Sequence, residues 1–148
     1  MIKKFENLQS IEELGIKLGS LLKSGDVICL NGTLGAGKTT LTKSIAKGMG
    51  ICDYITSPTF TIINEYYGNL NLYHFDTYRL DNLTEASYLY FDEYFYGKGV
   101  CVIEWANKIK DILPEDYLEL NISGSGNYRE IEFIPIGNRS NEILKELL

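Results

Sequence analysis

The sequence predicts an α/β fold in which helices cover both faces of a mostly parallel sheet and antiparallel hairpins form its edges. Short apolar runs alternate with helical patterns along the 148 residues, as expected for parallel strands joined by crossover helices. Two glycine-containing turns, Gly68-Asn69 and the GSGN stretch at 124–127, separate β-rich segments and predict hairpins. The length and the absence of repeats or linker-like composition predict one domain over residues 1–148.

The first helix is predicted to begin at Ser10. Ser10 and Glu13 have the spacing of a capping box, and apolar residues follow them at helical intervals. We expect this helix to end near Ser24-Gly25, where the pattern stops.

The remaining elements follow from apolar runs, helical periodicity and glycine punctuation. The predicted strands are 26–32, 60–68, 69–80, 100–105, 117–123 and 129–137. The predicted helices are 37–50, one or two within 81–96, a short one at 106–113 and a last one at 141–148.

Composition excludes several classes of protein. A hydrophobic fraction of 45% and a charged fraction of 23% indicate an ordinary globular chain, and a net charge of −6 argues against tight nucleic-acid binding by this chain alone. Three cysteines without a Cys-x-x-Cys pair, together with one histidine, fit no zinc-finger pattern and indicate a reducing compartment. With no apolar N-terminal region and no run long enough to cross a membrane, we expect a cytoplasmic location.

A complete phosphate-binding motif occupies residues 32–39, GTLGAGKT. Its glycines let backbone N–H groups turn toward phosphates, Lys38 supplies a positive charge for the β- and γ-phosphates, and the Thr39 hydroxyl can ligate Mg²⁺. The strand before it and the helix after it are the required context, so the motif predicts a bound nucleoside triphosphate with Mg²⁺. The predicted fold becomes a P-loop NTPase-like three-layer sandwich.

Besides the Thr39 hydroxyl, a carboxylate ligand for the metal is expected at the end of a neighbouring buried strand. Glu104 follows the apolar run VCVI, and the carboxyl ends of parallel strands gather ligands at one edge of the sheet. Trp105 comes next and is interpreted either as packing or as a cover over the ligand.

The guanine-reading motif of small GTPases is absent, because NKIK at 107–110 has Lys110 where that motif has aspartate. A small-molecule kinase usually clamps its phosphoryl group with several arginines on a lid, whereas this chain has only Arg79, Arg129 and Arg139. An ATPase that acts on a partner is therefore favoured.

Four segments together carry a family resemblance: GTLGAGKTT, TSPTF at 56–60, HFDTYRL at 74–80 and VIEW at 102–105. In this order and chain length they resemble the TsaE (YjeE) family of bacterial P-loop ATPases, which are needed for threonylcarbamoyladenosine on tRNA. The resemblance covers most of the chain. Asn107 departs from it, since family members commonly carry an acid two or three residues after Glu-Trp.

The resemblance implies a set of site residues. ATP would be bound by Gly35, Ala36, Gly37, Lys38, Thr39, Thr40, Ser57, Thr59 and Trp105. Thr39 and Glu104 would hold Mg²⁺, and the catalytic roles would fall to Lys38, Asp76 and Glu104. For the adenine, the resemblance implies contacts from the N-terminal helix region and the C-terminal segment, where Ser10 and Arg139 are the candidates; the alternative for Arg139, a solvated helix-cap residue, is favoured.

The implied partners are the TsaB and TsaD proteins, with this chain as an accessory ATPase that is not the carbamoyl transferase. Two alternatives stay open at the level of the sequence. One is a stand-alone small-molecule kinase, and the other is a nucleotide-dependent binding module that does not hydrolyse ATP. The tyrosine-rich stretch 88–97 is interpreted as a helix that packs its aromatic rings on the sheet or as a patch that binds a partner.

The segment YHFDTYRL at 73–80 is interpreted from strand alternation. His74, Asp76 and Tyr78 share one face of the strand, and this face is expected to point at the phosphates. His74 is expected to support Asp76 through a hydrogen bond rather than to bind metal, because Mg²⁺ prefers oxygen. Tyr78 and Arg79 are left open between structure and partner contact.

Overall fold

The computed structural model describes residues 1–33, 35–58, 62–78, 80 and 85–148, and its central feature is a seven-stranded mixed sheet. The spatial order is β1-β7-β6-β2-β5-β4-β3. The strands are β1 Ile2–Phe5, β2 Val27–Gly32, β3 Ile63–Tyr66, β4 Asn71–Asp76, β5 Gly99–Glu104, β6 Tyr117–Ser123 and β7 Arg129–Ile136. The four central strands, β6, β2, β5 and β4, are mutually parallel, and the outer strands pair antiparallel.

Helices cover the sheet on both faces and complete three layers. They are α1 Leu8–Leu21, α2 Lys38–Gly48, α3 Glu85–Phe95, a 3₁₀ helix Ala106–Ile112 and α4 Asn138–Leu147. Apolar residues of α1, α2 and α4 form one core with one face of the sheet, whereas α3 and the 3₁₀ helix enclose a second core on the other face. In the parts of the chain that the structure describes, no helix is both long and apolar enough to span a membrane.

Most of the predicted elements are confirmed, including both hairpins and the buried strands. The turn around Gly68-Asn69 joins β3 to β4, and the turn at 124–127 joins β6 to β7. Parts of three predicted elements lie outside the described residues, namely residues 60–61, 79 and 81–84, so the structure does not address the open question about Arg79. The aromatic stretch at 88–97 packs Phe91 and Phe95 into the second core and leaves Tyr90 and Tyr96 exposed.

At the N-terminus the structure contains one strand that was not predicted, and one predicted helix boundary is wrong. The sequence analysis did not predict β1, because only Phe5 of this strand is buried and its lysines give no apolar alternation; its register comes from pairing with β7. The first helix begins at Leu8 instead of Ser10, because the Asn7 side chain accepts a hydrogen bond from the Ser10 N–H at 2.8 Å and caps the helix earlier.

Helices α1 and α2 approach each other closely through glycines. A Cβ atom at Gly19 would overlap the backbone carbonyl of Ile45, and one at Gly48 would overlap the carbonyl of Ile16. The contact holds the C-terminal end of α2 against the first helix. The two glycines therefore fix where α2 can lie on the sheet.

We predict that Gly19→Ala destabilises the protein although alanine is the better helix former. The added methyl group meets backbone of α2, and such overpacking costs about 1–3 kcal/mol. The matched control is Ser20→Ala on the exposed side of the same helix, which should change the free energy of unfolding by less than about 0.5 kcal/mol. Urea denaturation measures both variants, and an unchanged or increased stability of Gly19→Ala would contradict the packing argument.

Candidate functional site

The loop between β2 and α2 lies at the carboxyl edge of the parallel strands. It turns through Gly35 and Gly37, whose φ angles of 82° and 105° fall in the left-handed region that favours glycine. Helix α2 then begins at Lys38, so its N-terminal end faces the same edge of the sheet. Glycine is thus favoured at these two positions because of their backbone conformation.

The predicted site residues meet at one open cavity of about 250 Å³, the polar cavity. Its lining is Gly35, Gly37, Lys38, Thr39, Thr40, Ser57, Asp76, Glu104 and Trp105. Of the other two predicted residues, Ala36 is buried beside a neighbouring cavity, and Thr59 lies outside the described residues. Segments far apart in the chain therefore converge as the motifs predicted.

Glu104 is the most enclosed acid of the polar cavity, with 3% of its surface exposed. The Thr39 hydroxyl lies 3.0 Å and 3.2 Å from its two carboxylate oxygens and can donate to either one. His74, which is fully buried, contacts the carboxylate oxygen Oε2 through its Nε2 atom. The carboxylate is therefore held between α2 and β4.

The contact of His74 corrects the sequence analysis. Alternation along β4 does place His74 and Asp76 on one face, but the histidine supports Glu104 and not Asp76. Asp76 lies beside Glu104 in the register of β4 with β5 and accepts a hydrogen bond from the Tyr78 N–H at 3.0 Å. The partner of His74 lies on the neighbouring strand β5, so the sequence of residues 73–80 alone could not identify it.

Lys38 is 5% exposed and has uncharged partners. Its ammonium group donates to the carbonyls of Gly32 at 2.8 Å and Thr33 at 3.0 Å and lies 4.2 Å from the centre of the Trp105 ring. Burial lowers the pKa of Lys38, and the charges of Glu104 and Asp76 oppose this shift. The lysine is thus a desolvated cation close to the cavity.

Trp105 is the one non-glycine residue with positive φ among those described, at 62°. Its carbonyl accepts hydrogen bonds from the Thr77 hydroxyl at 2.7 Å and the Lys108 N–H at 3.0 Å, and its N–H donates to Leu30 at 2.9 Å. Tyr78 packs on the indole, with ring centres 4.7 Å apart, which gives this tyrosine a structural role. The surrounding contacts stabilise a backbone conformation that is unfavourable for tryptophan.

A second cavity of about 200 Å³, the apolar cavity, adjoins the first through Gly35, Gly37 and Thr40. Its walls include Leu8, Ile11, Ile122 and Ile131, together with Arg129. Sequence patterns gave no signal for this cavity, because its walls come from α1, β6 and β7 and each residue fits an ordinary core position.

The two residues implied as adenine contacts do not line this cavity. Ser10 uses its hydroxyl to donate to the Asn7 carbonyl at 2.7 Å within the helix cap. Arg139 forms a bidentate ion pair with Asp26, with both N–O distances 3.0 Å, and also donates to the Leu21 carbonyl. Arg139 therefore connects α4 to the start of β2 and has a structural role.

The parallel core, the glycine loop between β2 and α2 and the buried acid at the end of β5 together define a P-loop α/β protein. The family model described as "Threonylcarbamoyl adenosine biosynthesis protein TsaE" matches residues 5–131. The chain belongs to the TsaE family.

Relatives of known name agree with this assignment. The TsaE protein of Bacillus subtilis is 50% identical over 127 residues, covering 84% of this chain and 79% of the relative. That of Treponema pallidum is 45% identical over 125 residues, covering 83% and 92%. Both are named tRNA threonylcarbamoyladenosine biosynthesis protein TsaE. The crystal structure of Bacillus subtilis YdiB superposes with a TM-score of 0.84 and 40% identity, over 99% of this chain and 93% of that one. The resemblance and the fold class are therefore confirmed.

We predict that Thr77→Val disturbs the turn at Trp105. Loss of the hydroxyl removes one of the two hydrogen bonds to the Trp105 carbonyl, which keeps the Lys108 N–H, and such a bond contributes about 0.5–1.5 kcal/mol. Because Trp105 is the single tryptophan, its fluorescence emission should shift in this variant.

The matched control is Thr42→Val, which also removes a fully buried hydroxyl, but one that bonds the Lys38 carbonyl within α2. This control should leave the tryptophan emission unchanged. Identical emission spectra for wild type and both variants would show that Thr77 does not hold the turn.

Proposed function

We propose that this chain is an ATP-binding accessory protein for threonylcarbamoyladenosine formation on tRNA. In this proposal it hydrolyses ATP slowly in the cytoplasm and acts with the TsaB and TsaD proteins. The observation that carries the proposal is the pairing of the Thr39 hydroxyl with the buried Glu104 carboxylate at the end of a complete phosphate-binding loop. Membership of the TsaE family supports the assignment to this tRNA modification.

Phosphate binding follows from the loop and from the start of α2. Backbone N–H groups between Gly35 and Thr40 and the positive end of the helix dipole attract phosphate oxygens. Lys38 then exchanges the carbonyls of Gly32 and Thr33 for phosphate oxygens, which are stronger acceptors because they carry charge. This exchange also moves its ammonium group relative to Trp105.

The donor set fits Mg²⁺. Adjacent oxygen ligands on an octahedral Mg²⁺ lie about 2.9 Å apart, given metal–oxygen distances of about 2.0–2.1 Å, and the Thr39 hydroxyl lies 3.0 Å from Oε1 of Glu104. In the described residues no cluster of three or more His, Cys, Asp and Glu forms a metal cage. An ion held by few protein oxygens, with phosphate and water as the remaining ligands, agrees with this. When bound, Mg²⁺ neutralises charge on the phosphates.

The apolar cavity suits the adenine base. It meets the polar cavity at Gly35, Gly37 and Thr40, so a nucleotide can cross from one cavity to the other. Isoleucine side chains provide flat apolar contact for a purine ring. Arg129 donates to the carbonyls of Ala36 at 2.9 Å and Gly126 at 2.7 Å and thereby fixes the wall between base and phosphates.

Slow hydrolysis follows from the charges around the polar cavity. Asp76 lines it beside Glu104 and is the residue that orients water. Among the arginines that the structure describes, Arg129 is bonded to loop carbonyls and Arg139 to Asp26, so neither is free to stabilise a transferring phosphoryl group. A cation from a partner can complete the site.

We predict that ATP hydrolysis is slow for the chain alone and is stimulated by the TsaB–TsaD pair. Phosphate release is measured for the chain with and without the pair, and with the pair alone as the blank. Phosphoryl transfer to a metabolite without any partner would instead indicate the kinase. ATP-dependent binding to the pair with no hydrolysis would indicate the binding module.

In the same assay, Lys38→Ala and Glu104→Ala should lower the stimulated rate by about 100-fold or more, as expected when a group that stabilises transition-state charge is removed. Lys47→Ala is the matched control, because Lys47 lies on the same helix but points to solvent and pairs with Glu12. Full stimulated activity of both site variants would refute the proposed function.

A further inference from the structure

We propose that His74 is a positioning residue that fixes the Glu104 carboxylate in the orientation needed to hold Mg²⁺. The inference rests on the proposed function, because it concerns the same metal site. His74 is fully buried, and its Nε2 atom contacts Oε2 of Glu104. Its role is to orient a ligand and not to contact the nucleotide or the metal.

Two donors on different elements bracket the carboxylate. The Thr39 hydroxyl approaches from α2 and His74 approaches from β4. A carboxylate with a single donor can rotate about its terminal torsion, which is broad in glutamate. With donors on two sides it keeps one orientation, and in proteins such partners tune the ligand that they hold.

The contacts of the imidazole ring indicate which nitrogen carries the hydrogen. Nδ1 has no hydrogen-bond partner among the described residues, whereas Nε2 faces a carboxylate, which only accepts. A hydrogen on Nε2 therefore satisfies the contact and leaves the bare Nδ1 acceptor unpaired. Since Nε2 donates to Glu104 and Nδ1 is enclosed, His74 has no lone pair directed at the polar cavity. It serves as a donor and not as a metal ligand.

His74 also connects the metal site to the strand that carries Asp76. The two residues lie on the same face of β4, and the backbone of this strand is held to β5 beyond them, where the Thr77 N–H donates to the Glu104 carbonyl at 3.2 Å. The donor to the metal-binding acid and the acid that orients water are thus fixed by one short segment. A shift of β4 would move both together.

Core packing alone does not explain why this fully buried position carries a histidine with an unpaired nitrogen. Burying a polar atom without a partner is unfavourable, and an apolar side chain of similar volume avoids this cost. The polar contact with Glu104 is the one benefit that the imidazole has over such a side chain among its described contacts.

The test compares His74→Gln, His74→Asn and His74→Leu. The glutamine amide nitrogen reaches as far from the backbone as Nε2, the asparagine amide reaches only as far as Nδ1, and leucine has no donor. Glutamine and asparagine are thus a matched pair that differ in reach alone. If one variant does not fold, as judged by thermal unfolding, the others still decide the outcome.

The measurement is the dissociation constant of a non-hydrolysable ATP analogue in EDTA and in Mg²⁺, by calorimetry. We expect the tightening by Mg²⁺ to be retained in His74→Gln and reduced about 10–100-fold in His74→Asn and His74→Leu. The dissociation constant in EDTA should be the same for wild type and all variants.

Three outcomes are distinguishable from this expectation. Unchanged tightening by Mg²⁺ in all variants would overturn the positioning role. An equal loss of affinity in EDTA and in Mg²⁺ would also overturn it, because His74 would then support the fold in general. No Mg²⁺-dependent binding by the wild type would instead refute the proposed function.

Discussion

The burial of the Glu104 carboxylate is the constraint on which the site depends. A carboxylate withdrawn from water is unfavourable unless donors replace the water, and β5, buried along its whole length, delivers Glu104 to the sheet edge with 3% of its surface exposed. The donors come from Thr39 on α2 and His74 on β4. Satisfying one carboxylate therefore fixes three elements relative to one another at the edge where the loop glycines turn.

The residue that follows β5, Trp105, has a strained backbone conformation that affects the surroundings of Lys38. The left-handed conformation of Trp105, held by Thr77 and Leu30, places the indole against Lys38. The ammonium group is then enclosed by the ring and two neutral carbonyls, which is why burial dominates its pKa shift. An anionic ligand would provide better partners for this ammonium group than the neutral carbonyls do, because its oxygens carry charge.

The sequence predicted the parts of the fold and site that depend on local patterns. Apolar runs located the central strands, glycine turns located both hairpins, and the spacing of residues 32–39 located the loop, because each signal lies within a few residues. Features set by distant contacts were not predictable. The partner of His74 required the register of β4 with β5, and β1 required pairing with β7 at the other end of the chain.

The apolar cavity is another feature that could not be predicted from the sequence. Ile122 and Ile131 have the alternation of ordinary strand residues, and only the packing of three elements around the loop makes them a cavity wall. The sequence also did not indicate that Arg129 donates to backbone carbonyls or that Arg139 pairs with Asp26. Sequence identifies which residue types are present for chemistry, whereas the fold decides which of them are available.

Charge at the polar cavity bears on the role that we propose for a partner protein. Among the described residues its lining contains one cation, Lys38, and two carboxylates, Glu104 and Asp76. A triphosphate is a polyanion, and two carboxylates repel it at the position where its terminal phosphate would lie. Divalent metal removes part of this repulsion, but the chain offers no further unpaired cation within the described part of the site to stabilise charge that develops during transfer. Under the proposed function, this arrangement would favour nucleotide binding over turnover, and a basic side chain from a partner would change that balance.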